Sequence, residues 1–263
     1  MKYLKSSCKK DYPSFVAESG QINTPPGSYE TIKRWIKNSF IDKNSRILEI
    51  GCSNGFISYQ INKYTNARVI GIDPSKKAIE FSRKNCFGIE KLNFFIGSCD
   101  NLKFKNEYFT HVIIGGHLPW IPKRKRKKHL REALRVLKPG GFLLTSLYYF
   151  SKIPPKNFLN KFNCEFKTKL SSKDNYGYWS SLFNLEELHG EYESNFIIRA
   201  PSKKRKNEYL SVFRKHYKDD WNNKVNLFEK NARYISFFIK IFRKDDNLKY
   251  KQNPRGEFIR GKN

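Results

Sequence analysis

The sequence predicts an α/β protein with a mostly parallel sheet and helices on both faces, and three observations carry that expectation. An apolar run, Arg46-Ile-Leu-Glu-Ile50, opens directly into a glycine-rich turn, Gly51-Cys-Ser-Asn-Gly55. A second apolar run, Ala67-Arg-Val-Ile-Gly-Ile72, ends in Asp73. Beyond them, apolar runs of strand length alternate with segments of helical period, the pattern of right-handed crossovers and a parallel sheet. Sheets of this kind take their ligands beyond the carboxyl ends of the strands.

In chain order, residues 1–22 are polar with interspersed Tyr3, Tyr12 and Phe15, and read as an irregular arm or short helix. After Thr24-Pro-Pro-Gly27, Ser28 is placed to cap a helix whose apolar face holds Ile32, Trp35 and Ile36. Strands are expected near 46–50, 67–72, 92–96, 111–114 and 142–147, with helices around 55–65, 75–86 and 123–137 between them. Pro139-Gly-Gly141 stops the last of these helices and turns the chain into its strand. Residues 148–184, with Pro154-Pro155 and Asp174-Asn-Tyr-Gly-Tyr-Trp-Ser180, read as a loop-rich aromatic insertion. Asn184 then caps a short helix, Leu185–Leu188, that leads to a strand at Phe196–Arg199. A second insertion, 201–230, is basic and helical in pattern, with Leu210, Phe213, Tyr217 and Trp221 near helical spacing. Arg233–Phe242 is the last strand. The expected organisation is one domain over 1–243: an arm and helix (1–40), a ligand-binding core (41–150), insertions (151–230) and a final strand (231–243). A charged tail, 244–263, is expected to be mobile.

Composition narrows the classes. With 263 residues, 38% hydrophobic and 16% aromatic, the chain can bury a substantial core and is not disordered throughout. Cys8, Cys52, Cys86, Cys99 and Cys164 are odd in number and lack metal-type pairing, so reduced thiols and no metal are expected. No apolar run approaches membrane-spanning length, and the charged start lacks the apolar core of a signal peptide. A cytoplasmic location is the expectation. The net charge of +28 points toward a polyanion or an anionic surface. However, the Lys-rich, Ala-poor composition is what an AT-rich genome produces without such a partner. A nucleic-acid partner is therefore the lesser expectation.

The turn defines the chemistry further. A dinucleotide motif needs a third glycine and an open helix start for pyrophosphate. Here the pattern is Glu49-x-Gly51-x-Ser53-x-Gly55, and a carboxylate beside the turn repels pyrophosphate but suits a cofactor bearing an amino group. Asp73 can accept hydrogen bonds from both hydroxyls of a ribose, or cap the helix ahead of Pro74. At this point the chain resembles the class I S-adenosylmethionine (SAM)-dependent methyltransferases, in particular their small-molecule, type 11-like branch. The resemblance rests on Glu49–Gly55, Asp73, Ile96–Phe104, Tyr108–Trp120 and Leu134–Gly141 in family order and spacing, over roughly residues 24–150.

That resemblance implies a Rossmann-like sheet of seven strands, closed by an antiparallel strand at 233–242, with SAM as cofactor. It implies cofactor-binding positions at Glu49, Gly51, Cys52, Ser53, Gly55, Asp73, Pro74, Ser98, Cys99 and Gly115, with Glu49 near the ammonium of the methionine part. Ser98 stands where the family commonly has an Asp for the adenine amine. Asp100 is an alternative for that contact, and Cys99 can offer its backbone amide. The implied reaction is in-line transfer of the methyl group to a small-molecule acceptor. An RNA methyltransferase using the basic surface, and a non-catalytic SAM-binding protein, are the alternatives.

Gly115-Gly-His-Leu-Pro-Trp120 lacks the Asn/Asp-Pro-Pro-aromatic clamp of nucleobase amino-methyltransferases. His117 is the histidine expected at this locus, and an ordinary pKa of about 6.5 suits a general base. The competing reading is a structural histidine bonded to loop backbone, since alignment alone accelerates methyl transfer. Lys123-Arg-Lys-Arg-Lys-Lys128 is the densest basic run, and it opposes the dipole of the helix it begins. It reads as a solvated helix start or as a docking patch for an acidic partner. Tyr176, Tyr178 and Trp179 read as lid packing or, with Tyr12 and Tyr29, as the lining of an acceptor pocket. Thr24–Gly27 resembles a family stretch that lies over the cofactor.

Overall fold

Seven strands form one sheet in the order β3-β2-β1-β4-β5-β7-β6 in the computed structural model of the chain. They are β1 (Arg46–Ile50), β2 (Arg68–Asp73), β3 (Leu92–Ile96), β4 (Phe109–Ile113), β5 (Leu137–Phe150), β6 (Leu188–Ile197) and β7 (Ile235–Lys244). The structure describes residues 25–114, 116–166, 168–185, 188–197, 227, 229–245, 250–252 and 258–260. The first five strands are parallel, and β7 runs antiparallel between β5 and β6. The expected seven-stranded, mostly parallel sheet is thus present, and its order reverses at β1, which is where ligands bind such sheets.

Both faces of the sheet are covered, which is why its parallel strands read as continuous apolar runs. Helices α1 (Tyr29–Asn38), α2 (Phe56–Thr65) and α3 (Lys76–Asn85) pack on one face through Ile32, Trp35, Ile57, Ile61 and Ile79. Helix α4 (Lys123–Val136) and helix α6 (Tyr176–Phe183) cover the other through Leu130, Leu134, Trp179 and Phe183. Strand side chains alternate accordingly: Ile47 joins the first core and Leu48 the second. Full burial of each large apolar side chain contributes about 1.5–3 kcal/mol. Helix α5 (Lys156–Phe166) packs Phe158 and Phe162 against Phe150 and Ile235 at the end of β5.

Several expectations are corrected. Ser28 precedes α1 but makes no side-chain cap; its backbone sits at φ 52° and ψ −127°. Two helices, α5 (Lys156–Phe166) and α6 (Tyr176–Phe183), stand within 148–184, where loop was expected, because their aromatic residues bury against β5 and β7. Leu188, expected at the end of a short helix, opens β6, which replaces the expected strand at 196–199 and ends at Ile197. Pro139, Gly140 and Gly141 lie inside β5, where the pairing register with β4 shifts between Phe109 and His111. The expected arm at 1–22 and most of the insertion at 201–230 lie outside the described residues. Within the tail, Tyr250–Gln252 (β8) and Phe258–Arg260 (β9) pair as an antiparallel ladder. No helix among the described residues is long and apolar enough to cross a membrane.

Candidate active site

The turn after β1 is fastened across the end of β2. The backbone N–H groups of Gly51 and Cys52 both donate to the Ile72 carbonyl, at 2.8 and 3.0 Å. Gly51, Ser53 and Gly55 all take left-handed backbone angles, φ 79°, 48° and 83°. A side chain at Gly51 would also press on His117, whose Cβ would lie 3.2 Å from the added carbon. Ser53, which has no glycine-like freedom, is held there by its N–H, donated to Asp73 Oδ2 at 3.1 Å. The other Asp73 oxygen accepts the Ser75 N–H at 2.9 Å. Asp73 does not cap α3; Ser75 does, accepting the Ala78 N–H at 3.3 Å.

Glu49 stands on the other side of the turn, buried, and accepts both the N–H and the hydroxyl of Ser58 from α2. Burial pushes its carboxyl up to about 8 against the opposing pull of those two bonds, and nearby Asp73 adds to the rise. Two carboxyl groups therefore flank the turn backbone, which fits a ligand carrying an ammonium at one end and a ribose at the other. The Cys52 side chain turns inward over Gly71, and burial pushes its thiol up, so only its backbone faces the turn. Pro74 is exposed beyond Asp73, and Gly115 lies outside the described residues.

The next rim follows β3 and β4. Ser98 is exposed, and its hydroxyl accepts the Asp100 N–H at 3.2 Å. Cys99 is buried, its thiol donating to the His129 carbonyl at 3.2 Å. Asp100 turns toward α4, where Lys125 Nζ and His129 Nε2 each lie 3.2 Å from its oxygens. Ser98 faces outward on this rim, its hydroxyl also 3.4 Å from Asp100 Oδ2. His117 precedes the short turn Leu118–Trp120 and brings its Nε2 to 3.3 Å from His129 Nδ1. Burial and the neighbouring His129 push its pKa down to about 3, with the Ile50 carbonyl pulling the other way.

His117 is therefore accompanied by a second histidine that the sequence reading missed. Arg126, His129, Leu130, Ala133 and Leu134 share the buried stripe of α4, so periodicity was the available signal.

That stripe also corrects the reading of the basic run as a solvated helix start. The Arg126 guanidinium is fully buried, bonded to Asp174 Oδ1, to the Ile121 carbonyl at 3.1 Å and to the Tyr178 hydroxyl at 3.2 Å. It also lies 4.6 Å from the centre of the Trp179 ring. Lys123 sits 3.5 Å from Asp174 and 4.4 Å above Tyr178. Only Arg124, Lys127 and Lys128 of the run neither enter these pairs nor lose their exposure. Tyr178 and Trp179 are consumed in the same packing, while Tyr176 bonds Glu193 and Lys240. Tyr29 packs edge-on against Phe56 at 5.4 Å, beside the turn, and Tyr12 lies outside the described residues. Pro26 accepts hydrogen bonds from Thr31 and Ser146, which docks the described part of the 24–27 segment on β5.

Comparison with known proteins converges on the same elements. Residues 47–141 match the model of the methyltransferase domain, a stretch running from β1 into β5. An uncharacterized methyltransferase of Schizosaccharomyces pombe is 33% identical over 139 residues, 49% of this chain and 48% of that one. Phosphoethanolamine N-methyltransferase 1 of Arabidopsis thaliana is 21% identical over 231 residues, 84% of this chain and 47% of that one. The crystal structure of MccD protein superposes with a TM-score of 0.72 at 24% identity, covering 85% of this chain and all of that one. The chain spans about half the length, or less, of the curated relatives it matches first. Sheet order, turn and carboxylates define a class I SAM-dependent methyltransferase fold. Over residues 47–141 the chain carries the methyltransferase domain of that family, whose cofactor is S-adenosylmethionine.

Proposed function

We propose that the chain transfers a methyl group from SAM to a small-molecule acceptor. The observation that carries this reading is the positive-φ turn Gly51–Gly55, flanked by the buried carboxylates of Glu49 and Asp73. When bound, SAM supplies an electrophilic methyl group on a sulfonium. Asp73, fixed by the Ser53 and Ser75 amides, is the carboxylate that meets the ribose hydroxyls. Glu49 balances the ammonium. The backbone of Gly51, Cys52, Ser53 and Gly55 borders the methionine part, and Pro74, Ser98, Cys99 and Gly115 border the nucleoside. His117 acts as a wall that positions the acceptor and not as a proton acceptor. One of its ring nitrogens faces His129 and the other is buried. Alignment of donor and acceptor then supplies the acceleration.

Two observations favour a small acceptor over RNA. Three of the six cations in the densest basic run, Lys123, Lys125 and Arg126, are paired with Asp174 or Asp100, which leaves Arg124, Lys127 and Lys128 for phosphates. The similarity to a phosphoethanolamine N-methyltransferase over most of the chain is to a protein named for a small acceptor. The basic segment at 201–218 lies outside the described residues, and the RNA alternative now rests on it. The test is incubation of the protein with methyl-labelled SAM and cell extract, followed by separation of small molecules from RNA. Label is expected in the small-molecule fraction with a shallow salt dependence. Label in RNA, with a log–log salt slope of roughly 0.7 or more per phosphate contact, would overturn the assignment. Calorimetry with S-adenosylhomocysteine tests the cofactor separately; no binding would sink the whole reading.

A further inference from the structure

The sequence led to an expectation of no metal, yet the fold gathers three soft or borderline donors from three separate segments. Cys99 follows β3, His117 follows β4 and His129 lies on α4. Their Sγ and ring nitrogen atoms all fall within 4.8 Å of one another, and Cys99 and His129 are buried. We propose that Cys99 Sγ, His117 Nε2 and His129 Nδ1 form a binding site for a divalent transition metal of zinc type.

The spacing of the two imidazoles is the first argument. His117 Nε2 and His129 Nδ1 are 3.3 Å apart. Two metal–nitrogen bonds of about 2.0–2.1 Å, opened to a tetrahedral angle, put their nitrogens about 3.3 Å apart. A long hydrogen bond would give the same separation, so the protons decide between them. On the far side of His129, Asp100 Oδ1 lies 3.2 Å from Nε2 and takes the proton of that nitrogen. In a neutral ring this leaves Nδ1 as a lone pair aimed at His117. On the far side of His117, Nδ1 is buried and has no hydrogen-bond partner. The His129 lone pair and the His117 ring thus face each other beside a sulfur atom, where a cation can be held between them.

The surroundings fit a metal centre in two further respects. A carboxylate bonded to the outer nitrogen of a ligating histidine is the usual way a protein fixes ring orientation and raises ligand basicity. Asp100 is itself held by Lys125, at 3.2 Å, so it is a built support rather than a loose acid. One sulfur and two imidazole nitrogens select zinc-like ions over magnesium or calcium. Metal binding would form three metal–ligand bonds and release the Cys99 thiol proton to solvent, with no change of oxidation state. Three protein ligands leave a fourth position for water or a substrate atom. His117 abuts Gly51, so this position borders the cofactor turn.

The test uses the full chain, reduced and free of metal, titrated with cobalt(II) chloride. The expected result is one equivalent bound, with a near-ultraviolet thiolate-to-cobalt charge-transfer band and the intense visible bands of a tetrahedral centre. Zinc chloride should then bleach them. Cys99→Ser should abolish the charge-transfer band, and Asp100→Asn should weaken affinity by about 10–100-fold while the band persists. Circular dichroism and S-adenosylhomocysteine affinity report whether each variant folds. A parent protein that gives no charge-transfer band overturns the site, and so does a band unchanged in both Cys99→Ser and His129→Gln. Neither failure touches the methyl-transfer reading, which stands or falls on S-adenosylhomocysteine binding and label transfer.

Discussion

The turn between β1 and α2 and the packing around α4 both bury charge, but they assemble it in opposite ways. In the turn, Glu49, Ser53, Ser58, Asp73 and Ser75 pair across 20 residues or fewer, and carboxylates meet backbone amides and one hydroxyl. Around α4, Arg126 finds Asp174 across 48 residues, and Lys240 finds Tyr176 and Ser180 across 64 and 60. The first arrangement borders the turn where the cofactor is proposed to sit. The second spends its charge on holding elements together. Changes in the first should therefore be read in binding, and changes in the second in folding.

The sharpest way to break this contrast is Asp174→Asn, which leaves the buried Arg126 guanidinium without its counter-charge. A loss of about 3–5 kcal/mol is expected in urea unfolding, and replacing both partners with apolar residues should restore most of it. A loss below about 1 kcal/mol would erase the distinction. Next, Asp73→Ala should weaken S-adenosylhomocysteine binding by about 1.5–3 kcal/mol in calorimetry, the scale of a charge-assisted hydrogen bond. Equal affinity in mutant and parent would remove Asp73 from the site.

A subtler contrast comes from Glu49. An ordinary Glu titrates near about 4.3, and this one is pushed up to about 8. Between those values the folded chain holds a proton that the unfolded chain has lost. The stability due to this group is therefore full below about pH 4 and falls as pH rises toward about 8. A ligand ammonium favours the carboxylate, so binding expels that proton. Affinity for S-adenosylhomocysteine should accordingly rise between about pH 6 and about pH 8, by at most about 1.4 kcal/mol per pH unit. Glu49→Gln should flatten that slope, and an unchanged slope would assign it to another group. The smallest effect is expected from Arg124→Gln, Lys127→Gln and Lys128→Gln combined, which lie on the exposed side of α4. Stability should shift by no more than about 0.5 kcal/mol per site, with transfer rate and salt dependence unchanged. A salt slope that is steep in the parent and lost in this variant would promote the polyanion reading.

The same contrast explains what was legible in the chain. β1, the turn and Asp73 could be read because each is specified locally, by an apolar run, glycines and an acid at fixed offsets. The periodicity of α2, α3 and α4 was equally plain, and their boundaries came within a few residues. Asp174 could not be recognised as the partner of Arg126, since nothing local links the two. A fully buried arginine inside a run of six cations looks like solvent-facing charge until the stripe it shares with Leu130 and Leu134 is counted. His129 escaped for the same reason. Only the end of β6, residues 196–197, was read as strand, because the alternating polar residues before it, Glu191, Glu193 and Asn195, suit an edge strand exposed on one side and carry little apolar signal.

The position of β7 carries a consequence for how the chain comes together in time. β6 precedes β7 in sequence, yet its ladder is made with β7 alone, and β7 in turn covers the open side of β5. A chain emerging from the ribosome therefore completes five parallel strands and then carries β6 with no neighbour to join. Until residues 235–244 arrive, the long β5 presents an unpaired edge, the kind of surface that recruits other chains. Loss of the last strand would subtract two strands from the sheet, not one. A truncated product ending before Ile235 is thus expected to aggregate in the way an unfinished sheet does, even though every residue of the cofactor turn is present.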